Sequence, residues 1–113
     1  MASMTLYHGA ARKAKPHIGQ CWTPELWAAE AYARMAAAPA DGHITAIAIS
    51  LSGLTVEDVA AYDHDSDDAV GDYDEYDGDA DIIRYDDEDD SGSEHTTYRL
   101  MSRAAVDAVR KAL

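Results

Sequence analysis

Between Glu57 and Glu94 the sequence carries 18 of its 22 acidic residues and a single basic one, Arg84. Like charges at that density repel one another and hold water. The stretch is therefore a solvated surface, a cation site or a face for a basic partner, with the ends of the chain neutral or mildly basic. The formal net charge of -13 sets it against phosphate, so direct nucleic-acid contact is not expected. At 113 residues and 47% hydrophobic, the chain suits one domain with one modest core. No apolar run reaches membrane-span length. The start lacks a basic-then-apolar leader pattern, its first basic residue being Arg12. The lone cysteine, Cys21, cannot form an internal disulfide. The expectation is a soluble, cytoplasmic protein.

Met4 to His8 reads as a strand running into Gly9, followed by a loop from Ala10 to Gly19. Thr23-Pro24 with Glu25 reads as a capped helix start. That helix is expected to run to about Ala38 with Leu26, Ala29, Ala33 and Ala36 on its packed face. Pro39, Asp41 and Gly42 end it. His43 to Leu51 is the best strand, and Thr45, Ile47, Ile49 and Leu51 form its more apolar side. Gly53 turns the chain. Thr55 and Asp58 resemble a capping box, which predicts a short helix. Asp63 to Gly78 reads as an irregular acidic insertion. Asp81 to Tyr85 and His95 to Met101 read as strands joined by an acidic hairpin loop. Ser102 caps a last helix with Ala105, Val106 and Val109 inside. The order of elements is α+β rather than a regular βαβ series.

Known chemical motifs are mostly absent. A calcium-loop alignment on Gly78 puts Tyr73 where an oxygen ligand is required. The histidines lack metal-ligand spacing, so no metal is expected. No Walker loop, zinc-protease helix or GxSxG elbow occurs.

What remains is an ordered constellation: Tyr7-His8-Gly9, then Gly19-Gln20-Cys21-Trp22-Thr23-Pro24 before an alanine-rich helix with Tyr32-Ala33. Asp81-Ile82-Ile83-Arg84-Tyr85 and Ser93-Glu94-His95-Thr96-Thr97-Tyr98 follow. In this order the pieces resemble the ADP-ribosyltransferase superfamily, in its histidine-tyrosine-glutamate branch and its small phage and bacterial members, anti-CRISPR enzymes among them. The resemblance implies one domain over 1–113, a compact split mixed β-sheet flanked by helices, with an insertion at about 63–78. It implies NAD as co-substrate, bound by His8 and Gly9, with Trp22, Tyr32 and Tyr85 as stacking rings and Glu94 as the catalytic carboxylate. A glycine after a strand-end histidine lets backbone approach a ligand closely, flat rings sandwich nicotinamide, and a carboxylate stabilises the charge that develops as the glycosidic bond breaks. The family tyrosine before the helix corresponds to Cys21, or to Trp22 with a one-residue slip.

The activity so implied is NAD-dependent mono-ADP-ribosylation of a protein target with a basic surface, as a phage inhibitor of host defence or a toxin. A rival from another class is a non-enzymatic acidic mimic of nucleic acid on the same scaffold. Plainer structural readings stand beside these: His8 as a strand cap, Trp22 and Trp27 as core anchors, Tyr32 as helix packing, Glu94 as a solvated loop residue, and Arg99 and Arg103 as partners of the acidic loop.

Overall fold

The alternation in the best strand organises the core. The computed structural model describes residues 3–13, 15–59, 78–88 and 94–113. Most of the acidic insertion (60–77) and the hairpin loop (89–93) lie outside them. The elements are β1 (Met4–Ala10), β2 (Cys21–Trp22), α1 (Leu26–Ala37), β3 (His43–Ile49), β4 (Val56–Asp58), β5 (Ile82–Glu88), β6 (Glu94–Leu100) and α2 (Arg103–Ala112). On β3, Thr45, Ile47 and Ile49 are buried while Ala46 and Ala48 are exposed. Ile47 and Ile49 share one cluster with Leu6, Trp22, Leu100 and Val109. Each such aliphatic side chain contributes about 1.5–3 kcal/mol by leaving water.

The class is α+β with mixed sheets. Among the described residues β1 and β3 pair antiparallel, and a second sheet runs β2-β6-β5-β4, with β4 parallel to β5. The sheets meet where Tyr7 and Thr23 exchange backbone hydrogen bonds of 2.7 and 3.0 Å. Ser102 caps α2 as expected: its Oγ accepts from the Ala105 amide at 3.2 Å and donates to Asp81 at 2.7 Å. Ala105, Val106 and Val109 are buried. No helix of the described residues is long and apolar enough to cross a membrane.

Two helix starts differ from expectation. The Thr23 backbone is drawn into the bridge with Tyr7 and α1 begins at Leu26; the Thr23 hydroxyl accepts from the Glu25 amide, at 3.2 Å, and Glu25 itself makes no cap bond. The Glu25 carboxylate accepts from the Thr96 amide at 3.0 Å instead. The packed face is rotated accordingly: Ala28, Ala29 and Ala33 are buried, whereas Leu26 is 44% and Trp27 39% exposed. Trp27 is thus not a core anchor. At Thr55 the expected capping box gives way to strand β4. The Thr55 amide and hydroxyl donate to Asp81 at 2.9 and 3.2 Å, and Asp58 pairs with Arg84. At Thr55 tertiary partners take the groups that a local capping box would use, and at Thr23 the backbone pairs with Tyr7 while the hydroxyl keeps a local bond.

Candidate functional site

A cavity of about 500 Å³ opens between α1 and the strands β1, β2 and β6. That size lies inside the range of about 300–1,000 Å³ common to small-molecule sites. His8, Gly9, Trp22 and Tyr32, all singled out from the sequence, line it together.

His8 reaches it from β1. Its Nδ1 lies 2.8 Å from the Cys21 carbonyl, an oxygen that can only accept. Nδ1 therefore carries the proton, and Nε2 is left as an acceptor. Burial holds the imidazole below the usual histidine value; the bond to Cys21 opposes this, and nearby His17 adds to it. The ring leans on Trp22 with centroids 5.2 Å apart.

Trp22 is only 1% exposed. It is at once a core anchor and a cavity wall, and its indole N–H donates to Gln20 at 2.8 Å. Tyr32 faces the cavity from α1, with its hydroxyl 3.2 Å from Nε2 of the buried His95. The His95 ring meets Tyr32 and Trp27 edge-on, at 5.5 and 5.7 Å.

Gly9 has a different reason for being glycine than ligand approach. A Cβ there would stand 1.8 Å from the Ala29 carbonyl oxygen on α1. The missing side chain lets β1 lie against the helix, and that contact shapes the cavity wall.

The β6 wall is not the one expected. Its lining residues are Thr97 and Arg99. Side chains alternate along a strand, so the face that carries His95, Thr97 and Arg99 excludes Glu94. Glu94, at the first position of β6, is exposed and is not part of the cavity lining. Tyr85 also lies outside the lining. It is buried, and its hydroxyl accepts from Arg99 Nε at 3.1 Å and sits 3.9 Å from the Cys21 sulfur. Tyr85 thus holds Arg99 rather than stacking in the cavity. Arg99 reaches the cavity instead of pairing only with the acidic loop.

The sequence suggests His95 and Thr97 as strand positions and Arg99 as a partner of the acidic loop, and not as residues in or beside the cavity. The signal was present: once Tyr98 and Leu100 are assigned to the core, period-two alternation sends Thr97 and Arg99 to the other face.

The lining combines aromatic and aliphatic surface with an imidazole acceptor and a guanidinium, and among the described residues no carboxylate joins it. Such a site suits a flat ring carrying hydroxyl or anionic groups. No cluster of three or more His, Cys, Asp or Glu among the described residues could hold a metal ion. No protein-family model, curated protein or solved structure matches the chain.

Proposed function

We propose that the cavity binds the nicotinamide end of NAD and that the protein is a mono-ADP-ribosyltransferase-like enzyme acting on a protein target. The observation that carries the reading is the meeting of His8, Gly9, Trp22 and Tyr32 around one cavity. Those residues lie up to 24 positions apart in the chain, and they are the ones that the ordered motifs single out. In this reading His8 Nε2 accepts from a ribose hydroxyl, and the nicotinamide ring lies between the Trp22 and Tyr32 side of the cavity. Target choice falls to the surface, with the acidic stretch a face for a basic protein.

A second reading has its own observation. No carboxylate lines the cavity among the described residues, and Glu94 lies on the opposite face of β6. Without a nearby negative charge the developing oxocarbenium ion loses its main stabilisation. The protein then holds the dinucleotide without cleaving it.

One experiment separates these. Wild type and Glu94→Ala are incubated with labelled NAD and a cell lysate, and binding is measured separately by calorimetry. Label on a discrete band with wild type alone supports transfer through Glu94. Binding with no label and no nicotinamide release supports the holding reading. Absence of binding removes both.

A further inference from the structure

His8 also borders a second, more open hollow of about 460 Å³. Its rim is the loop after β1, where Arg12, Lys13, Lys15 and His17 surround it, and no acidic side chain lines it among the described residues. In a chain of net charge -13, three of the nine lysines and arginines gather within residues 12–15. The local sign of charge is therefore inverted at a hollow that shares His8 with the aromatic cavity.

The loop is also anchored. Gln20, only 3% exposed, closes the hollow from below. Its Nε2 donates to the Lys15 carbonyl at 3.3 Å, and its Oε1 accepts from the Trp22 indole at 2.8 Å. The Gln20 amide bonds His17 at 3.2 Å, and the Gly19 amide bonds Leu100 at 2.7 Å. Lys15 and His17 thus stand on backbone tied to the core, which lowers the entropy lost when that end of the loop closes on a ligand.

We propose that this hollow is a phosphate-binding subsite, joined to the aromatic cavity through His8. The ligand class is a nucleotide whose flat ring enters the cavity and whose diphosphate lies over Arg12, Lys13 and Lys15. Arginine and lysine bind such groups through charge-assisted hydrogen bonds. For the identity of the ring this rests on the NAD reading; for the anion it does not.

The test is calorimetry on the full chain with NAD, nicotinamide riboside and inorganic pyrophosphate. Wild type is compared with the triple variant Arg12→Gln, Lys13→Gln, Lys15→Gln, whose sites are all exposed; circular dichroism checks that it folds. The triple variant should weaken NAD and pyrophosphate at least about tenfold and leave the riboside unchanged. Equal NAD affinity in both proteins overturns the subsite and leaves the NAD reading standing. Pyrophosphate bound by wild type and lost in the variant, with neither NAD nor riboside bound, upholds the subsite and overturns the NAD reading. If wild type binds neither NAD nor pyrophosphate, both fall.

Discussion

The two edges of the larger sheet hold their polar groups in opposite ways. At the β2 edge, beside the cavity, Gln20, Thr23, His95 and Thr97 are all buried. At the β4 edge, Asp58 pairs with Arg84 at 2.8 Å, and Asp81 collects Thr55 and Ser102, with these bonds largely at the surface. A buried bond has no water to replace it when broken, whereas an exposed one does. The cavity edge should therefore tolerate little change and the far edge a good deal.

The largest effect is expected across the cavity from the β2 edge, on β1, from Gly9→Ala. The new methyl meets backbone of α1, which cannot step aside, so a loss of about 3 kcal/mol or more is expected in chemical denaturation. Gly53→Ala is its control. Nothing lies within 4 Å of that Cβ and only the positive φ of 86° opposes it, so the loss should be nearer 1 kcal/mol. Equal losses would sink the argument that helix contact demands Gly9.

Trp22→Phe comes next. It keeps an aromatic ring but strands the Gln20 oxygen, for about 1–3 kcal/mol. Ser102→Ala removes the α2 cap and a partner of Asp81, for about 1 kcal/mol by thermal melting.

A smaller effect is expected from pH. His8 is held below its usual value of 6.5, so below that pH the unfolded chain takes up a proton that the folded chain resists. Stability should fall as pH drops from 6.5 toward the lowered value, and His8→Gln should flatten that part of a urea-denaturation profile. Asp81 acts further down. Backbone and side-chain bonds hold it below 3.8, so its contribution is complete above that pH and is lost in stronger acid. Last comes Asp58→Asn at the far edge, where the denaturation midpoint should not move measurably. A clear shift there would show that the two edges are less different than their burial implies.

The same contrast explains what could be read in the sequence. The β3 alternation and the Ser102 cap follow local rules, and both appear as expected. Thr23 and Thr55 obey the same rules on paper, yet Tyr7 and Asp81 claim them across the fold. His8, Gly9, Trp22 and Tyr32 could be chosen because motif order carries them together. For Thr97 and Arg99 alternation against Tyr98 and Leu100 gives only their shared face of β6; that this face meets α1 across a cavity depends on tertiary packing. Glu94 shows the same limit: a carboxylate in the right place along the chain occupies the wrong side of a strand to line the cavity.

The backbone exchange between Tyr7 and Thr23 sets a consequence for any occupant. Among the described residues it is the only strand pairing across the seam between the sheets, and the cavity straddles that seam, with β1 on one bank and β2 and β6 on the other. A molecule gripping both banks acts as a cross-brace. At a hundredfold excess over its dissociation constant it would stiffen the whole fold by about 2.7 kcal/mol, so a melting curve can report an unknown occupant before its chemistry is known.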